Sequence, residues 1–511
     1  MAFSEPKIPF NEVIIIGAGF SGLAMACQLK RKLGCDDFAV FDRASGYGGA
    51  WHANKYPGCG VDIPAALYSL SFAPKTDFSC FFPKQHEILH YINSVVEDHQ
   101  LMSNFTGHTE WVGASWQESS KTWHVNLKDL HTGQEFTREC RILISAVGAL
   151  SMPNNSSIPG AERFKGDVIH TANWDRSVSL RDKRVVVIGN GASATQVIPA
   201  IAKDAREITQ FIRTPQLYLP GQNTTISNLW QSAYKYVPGL LVLVRIVIFL
   251  YLETATLQFR RNRTGANMRD QQFLVSRRYI LDNAPEKYWP LLISTTEAGC
   301  KKRRVFDNDG YIHCLNRDNV HLIKDPVVEI TESSVVTQSG QTYPADVIIL
   351  GTGFSLAHFD TSITGCQGIT RAEHWQSLGG IKAFNTIALS GFPNMFYVLG
   401  PNSGTGHTST IYAIESYVDL IIRVIEPILK KKASSVQVKA SSEQVYSKKI
   451  EQALQKTVYN NACPSWFIDK KTGTNWAIYP WSSFWMWYTT RAAGLDDWIL
   501  EVRVSRVLNK N

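Results

Sequence analysis

The sequence predicts an α/β chain built from two parallel-sheet domains of one design, with a helical insertion in the second. Three observations predict it: a short, wholly apolar strand, glycine-rich turn and helix beginning near residue 13; the same arrangement again near residue 185; and an aromatic-rich stretch of helix formers at about residues 216–299. At 511 residues the chain exceeds one ordinary core, and its length suggests two to four domains. A hydrophobic content of 44% with no long low-complexity tract makes a folded, globular protein the expectation rather than a disordered one.

Val13, Ile14, Ile15 and Ile16 read as a strand buried on both faces. Gly17, Ala18, Gly19, Phe20, Ser21 and Gly22 then complete G-x-G-x-x-G and lead into helix formers up to residue 33. The chemistry needs glycine here. Gly17 permits the tight turn, Gly19 lets the backbone approach a pyrophosphate, and Gly22 lets helix and strand pack closely, while the helix N-terminus offers free N–H groups to the phosphates. Asp42 ends the next strand, where a carboxylate binds ribose hydroxyls, and Arg43 follows it. The glycine pattern alone is weak; strand, loop, helix, strand and acid in register are specific.

The second copy runs from Val185 through Gly189, Gly191, Ala192, Ser193 and Ala194, and its next strand ends in Arg213 and Thr214. An acid there would repel a 2′-phosphate and an arginine attracts one, so the second nucleotide is expected to be NADPH. The bland alternative, a surface arginine, stands beside that reading. Two Rossmann-like dinucleotide-binding domains, acidic first and basic second, resemble the flavoproteins that hold FAD first and NADPH second. Asp346 to Phe354, with Thr352 and Gly353, resembles the D-x-x-x-x-A-T-G motif by which such chains return to the FAD domain, with Gly351 in place of alanine. The FAD domain is thus expected to be discontinuous, residues 1–150 and 344–511. The NADPH domain spans 151–343, with the helical insertion at about 216–299 lying over the substrate entrance.

Between the loops, Phe164, Gly166, His170, Trp174 and Asp175 form F-x-G-x-x-x-H-x-x-x-W-D. Earlier, Gly48, Gly49, Trp51, Asn54, Tyr56, Pro57, Gly58 and Asp62 form G-G-x-W-x-x-N-x-Y-P-G-x-x-x-D. Both resemble the signatures of the Baeyer-Villiger monooxygenases, and the resemblance covers nearly the whole chain. It implies an FAD- and NADPH-dependent enzyme that inserts one atom of O2 beside a ketone carbonyl through a flavin C4a-peroxide, giving an ester or lactone. It also implies roles for single residues. Arg304 stands at the catalytic position, with Arg303 the second candidate, and Asp62 orients the arginine. Gly49, Trp51, Tyr56 and Tyr68 belong to the cofactor contacts, as does Asn402 in the glycine-rich loop before an apolar helix. His170, with Trp174, is a hinge that senses NADPH rather than a general base. A guanidinium suits the peroxide step because it keeps its proton and stabilises an anion. The aromatic tail of residues 476–488 suits the lining of a pocket for a large, lipophilic ketone, and Leu217 stands where tryptophan is usual.

Other classes fit less well. The net charge of +8 is spread over short clusters, whereas a nucleic-acid binder gathers its cations on one face. Nine cysteines, odd in number and without a C-x-x-C pair, argue against a disulfide framework, a dithiol reductase and a cysteine-held metal. A cytoplasmic location is expected, with the glycosylation patterns at Asn104, Asn155 and Asn223 as chance matches. The longest apolar run, residues 240–252, is broken by Arg245 and falls short of the ~20 residues that cross a bilayer. It reads as a buried or partly lipid-facing helix, which leaves membrane-surface association open. Two other functions remain: oxygenation of a soft nitrogen or sulfur atom on the same fold, and a flavin-bound reductase or sensor without oxygen chemistry.

Overall fold

The computed structural model describes residues 8–154, 158–294, 304–355, 361–460, 466–469 and 471–502. It opens with β1 (Phe10–Ile16), α1 (Phe20–Leu33) and β2 (Phe38–Phe41), and Gly34 in the left-handed region stops the helix. Next come α2 (Ala50–Ala53), α3 (Gln85–Asp98), β3 (Phe105–Thr106), and the meander β4 (Thr109–Gln117), β5 (Thr122–Asp129) and β6 (Glu135–Ser145). The last strand works twice: its first half runs antiparallel to β5, its second half parallel to β1. Val13 and Ile15 enter one core with Leu23 and Ile421, while Ile14 and Ile16 enter another around Trp123. This strand therefore reads as continuous apolar sequence because neither face meets water.

The chain then crosses to a second sheet: β7 (Asp167–His170), β8 (Arg184–Ile188), α4 (Ala192–Ile201) and β9 (Glu207–Phe211). After β10 (Leu217–Pro220) come α5 (Asn228–Tyr236), α6 (Leu240–Thr254), α7 (Arg263–Asn283) and α8 (Trp289–Leu292). The domain closes with β11 (Arg304–Asp307), α9 (Tyr311–Cys314), β12 (Val320–Ile323), the hairpins β13 (Val327–Ile330), β14 (Ser334–Thr337) and β15 (Thr342–Pro344), and β16 (Val347–Leu350). The return supplies β17 (Ser362–Thr364), α10 (Arg371–Ser377), β18 (Met395–Tyr397), α11 (Thr410–Leu429), β19 (Ala433–Val438), α12 (Ala440–Gln455), α13 (Ser483–Ala492) and β20 (Trp498–Val502).

The two main sheets are ordered β17-β4-β5-β6-β1-β2-β3, with β18 beside β6, and β12-β9-β8-β16-β7. The second is parallel throughout. Each places a glycine loop at the C-terminal end of its central strand, where α/β sheets bind ligands.

Three sequence expectations need adjusting. The return to the first sheet comes after Leu350 rather than at residue 344, because β16 fills the gap between β8 and β7. The insertion begins with a strand, not a helix: β10 pairs in parallel with β11, Leu217 opposite Arg304. The apolar run at 240–252 is helical but is not buried, since Leu241 alone on α6 lies in the core.

Candidate active site

At the first loop, Gly17 has φ +106°, and a methyl group on it or on Gly22 would overlap a backbone carbonyl, of Ala146 and of Gly17 respectively. Gly19 is different: the nearest atom to a methyl there is the Gly49 Cα, 3.5 Å away. The turn residues are thus fixed by packing, while Gly19 leaves room for a ligand backbone. Asp42 ties the loop to β2, accepting from Ala18 N–H at 2.6 Å and Ala44 N–H at 2.7 Å. Burial pushes its carboxyl above the usual range, and the two N–H donors oppose that. Arg43 is exposed, 3.6 Å from Glu110, with Nη1 on the Met152 sulfur.

Trp51 Nε1 donates to the Tyr68 hydroxyl at 3.0 Å, and Tyr68 stands edge-on to both Trp51 and Phe20. These three rings form a wall beside the first turn of α1, where Ser21 is also buried. Tyr56 serves the other half of the molecule: its hydroxyl donates to Gln196 Oε1 on α4 at 2.8 Å, and Gln196 Nε2 donates back to the Gly60 carbonyl at 3.0 Å. The loop expected beside the flavin is therefore also a clamp between the two nucleotide domains.

At the second loop, Gly189 has φ +125° and abuts the Gly351 carbonyl, while a methyl on Gly191 would meet nothing within 4 Å. Ala192, Ser193 and Ala194 form the first turn of α4. Gln210 Nε2 holds the Gly189 carbonyl at 2.9 Å, and Asn190 Nδ2 holds that of Thr214 at 2.6 Å. Arg213 and Thr214 sit exposed beyond β9. A methyl on Gly351 would approach Ala194 Cβ at 3.3 Å, so glycine in place of alanine relieves a tight contact and keeps the turn. Helices α1 and α4 both start on a glycine with no side-chain cap. Their first-turn N–H groups and the space at Gly19 and Gly191 fit a dinucleotide pyrophosphate at each loop.

Arg304 starts β11 and turns inward. Its Nη2 donates to the Gly406 carbonyl, and its guanidinium lies 5.6 Å from the centre of the Phe259 ring. Burial pulls it below its ordinary value, while Tyr459 and Asp62 act in the opposite direction. It remains a cation at any working pH. The expected Arg304–Asp62 pair is not a contact: Asp62 is exposed, no ion pair among the described residues joins the two, and the carboxylate acts through space. The guanidinium is instead taken by the Gly406 carbonyl and the Phe259 face. Arg303 lies outside the described residues.

His170 Nδ1 accepts from Ala172 N–H at 3.0 Å, so a neutral ring carries its proton on Nε2, which faces Thr352 Oγ1 at 3.1 Å. Burial lowers its pKa, favouring that neutral form. Thr352 Oγ1 in turn donates to the Asn154 carbonyl at 3.2 Å, and Asn154 N–H donates to the Gly353 carbonyl at 3.0 Å. The two crossing segments are thus laced together at His170. A methyl on Gly166 would overlap the Asp346 carbonyl and the Phe164 ring, and half-buried Trp174 packs on the second-domain core. Asp175 caps a turn at Ser177.

Asn402 is buried with φ +57°, and its amide donates to the carbonyls of Asn475 (2.9 Å) and Ile478 (3.2 Å). That side chain, expected at the flavin, pins the tail segment to the loop. The tail itself divides: Trp476 and Tyr479 are buried, whereas Phe484, Trp485, Trp487 and Tyr488 are exposed and so line no closed pocket.

Sequence reasoning missed a cluster around Arg304. His407 Nε2 lies 2.8 Å from Glu253 Oε1 and 2.9 Å from Thr256 Oγ1, and Glu253 also accepts from Ser483 and Phe484 N–H. Burial alone would raise the Glu253 carboxyl, yet His407 and those N–H donors hold it below its ordinary value. Phe259 and Tyr459 pack at a tilt with ring centroids 4.8 Å apart. Only the glycine-rich loop before His407 carried a sequence signal; Glu253 and Phe259 lie in the insertion, with nothing local to mark them.

Residues 10–368 match the flavin-binding monooxygenase-like family model. A Baeyer-Villiger monooxygenase of Pseudomonas aeruginosa is 30% identical over 92% of this chain and 87% of its own length. An FAD-binding monooxygenase, ktnD, of Aspergillus niger is 32% identical over 89% and 76%. A solved steroid monooxygenase bound to NADP superposes with a TM-score of 0.83 at 25% identity, covering 97% of this chain and all of that one (100%).

Proposed function

The chain belongs to the flavin-binding monooxygenase-like family, and within it to the Baeyer-Villiger monooxygenases; on that premise we propose that it oxygenates a bulky, lipophilic ketone to an ester or lactone. It is an enzyme that uses FAD and NADPH. FAD would be held at Gly17, Gly19 and Gly22 with Asp42 on the ribose. NADPH would be held at Gly189 and Gly191 with Arg213 on the 2′-phosphate. When bound, the flavin reduced by NADPH supplies the activated oxygen.

The observation that carries the reading is the inward Arg304, half-buried beside the Phe259 ring and anchored on Gly406. A cation held in place stabilises negative charge that develops on the ketone oxygen as oxygen is added, and it needs no reorganisation to do so. Asp62 moderates that charge from a distance. His170, neutral and bonded to Thr352, transmits the position of one nucleotide domain to the other without moving a proton.

The test is Arg304→Ala assayed with a panel of cyclic, aryl and polycyclic ketones and one thioether under 18O2, with products read by mass spectrometry. Ketone oxygenation is expected to fall about 10²- to 10³-fold while flavin content and thioether oxidation persist. A wild type that oxidises the thioether and no ketone would favour an N- or S-oxygenating enzyme, and ketone turnover that survives the substitution would take the catalytic role away from Arg304.

A further inference from the structure

We propose that α6, with α5 and the aromatic N-terminal half of α13, forms a docking face that lies in the outer layer of a phospholipid bilayer. Helix α6 is apolar on all sides except at Arg245 and its C-terminal Glu253 and Thr254. A helix of that kind belongs inside a core or in lipid, and the core takes only one side of this one. Leu241, Val244 and Ile248 face Ala65, Phe78 and Ile226 across a shared cavity, and Arg245 bonds inward to the Ala66 carbonyl at 2.7 Å and Ser69 Oγ at 2.9 Å. The other side, Val242, Leu243, Ile246, Val247, Leu250 and Tyr251, is 49–74% exposed. A contiguous apolar stripe of this kind on a soluble protein marks an interaction surface.

Its surroundings select lipid as the occupant. Exposed Trp230 and Tyr236 flank the stripe on the α5 side. Exposed Phe484, Trp485 and Tyr488 flank its C-terminal end, because Glu253 at the end of α6 accepts from the first N–H groups of α13. Aromatic side chains at both ends of an aliphatic stripe match the headgroup boundary of a bilayer. The charges agree. No Asp or Glu occurs from residue 208 to 252 or from 470 to 495. Lys235 lies over the Tyr236 ring at 5.3 Å, and Arg491, which also pairs with Asp419 at 2.8 Å, lies over Trp487 at 4.8 Å, so cations stand beside the boundary aromatics where lipid phosphates sit.

Among the described residues, Leu240–Phe259 is the one helix long and apolar enough to cross a membrane. Its inner side is fastened along its length to the protein body, so it lies in the membrane plane. The 3-10 turn after α6 (Ala255–Phe259) ends at the ring under Arg304, so a lipid-dissolved substrate would leave the bilayer beside the arginine. That route rests on the function proposed above; the docking does not.

The test is flotation of the flavin-loaded full chain with vesicles of phosphatidylcholine and phosphatidylglycerol, compared with the double variant Ile246→Asp/Val247→Asp. Wild type is expected to float with the vesicles and the variant to lose partition by about tenfold or more. The variant's flavin absorbance and thermal unfolding should match wild type, because both side chains are exposed. A second variant, Lys235→Gln/Arg491→Gln, should lose binding to anionic vesicles and keep more of it on phosphatidylcholine alone. Wild type that stays in the soluble fraction overturns the proposal. So does a concentration-dependent dimer that the aspartates convert to monomer, since the face would then join two copies of the chain. Neither outcome depends on a ketone assay, so failure of the catalytic reading leaves the docking face standing.

Discussion

The two nucleotide loops share a glycine pattern and are held by opposite means. In the first, a half-buried carboxylate, Asp42, grips two backbone N–H groups, and Gly49 backs the loop from the other side. In the second, two neutral amides, Gln210 and Asn190, grip carbonyls, Gly191 faces open space, and Arg213 stands exposed. One loop is enclosed and acidic, the other open and basic. The difference teaches that the motif states where phosphates go, while its second layer of bonds decides how permanently. The first arrangement suits a resident cofactor, the second one that exchanges each cycle.

Gly22→Ala against Gly191→Ala should break the comparison most sharply. The new methyl on residue 22 overlaps the Gly17 carbonyl, at a cost of about 3 kcal/mol or more, so this variant should purify colourless or insoluble. The methyl on residue 191 meets no protein atom, so that variant should stay yellow and as heat-stable as wild type, with a raised KM for NADPH. Equal loss of flavin from both would erase the distinction.

Arg213→Ala sharpens the basic side. KM for NADPH should rise about tenfold, roughly the worth of one exposed phosphate contact, while KM for NADH and flavin content stay put. An equal rise for both nucleotides would show that the arginine does not read the 2′-phosphate.

The smallest effect concerns the bases of the two sheets, each strapped by an ion pair: Glu12 with Arg141 under the first, Asp346 with Arg184 under the second. Arg184 holds the Asp346 carboxyl down, from 3.8 to about 2. A depressed carboxyl stabilises the fold above its ordinary range and loses that contribution as pH falls through about 2. Because the pair is about one-third exposed, the contribution is roughly 1 kcal/mol. Asp346→Asn should lower the unfolding temperature slightly at neutral pH and converge with wild type in acid scans. A constant gap at every pH would locate the loss elsewhere.

Both glycine loops, the acid after the first and the arginine after the second were legible because their logic is local: a strand, a turn and a helix within thirty residues or so. Placing Arg304 relied on neighbouring motifs for the same reason. What could not be read is what joins distant segments. The Tyr56–Gln196 clamp, the Glu253–His407 pair and the commitment of Asn402 to Asn475 and Ile478 each link residues with no shared periodicity. Apolar character likewise announced α6 without saying which side the protein would cover. The position of β16 was hidden because a buried strand carries no mark of the sheet it will join.

The lacing of His170 to Thr352 follows from register, since His170 pairs with Leu350 two residues earlier. The polypeptide passes between its halves twice, and both passages meet the second sheet at neighbouring strands, β7 and β16. With the hinge role proposed for His170, such a joint would work like a door on two adjacent pins, swinging about one axis and resisting torsion about the others. Opening for nucleotide release and opening for substrate would then be the same movement, and a mutation that stiffens one would slow the other.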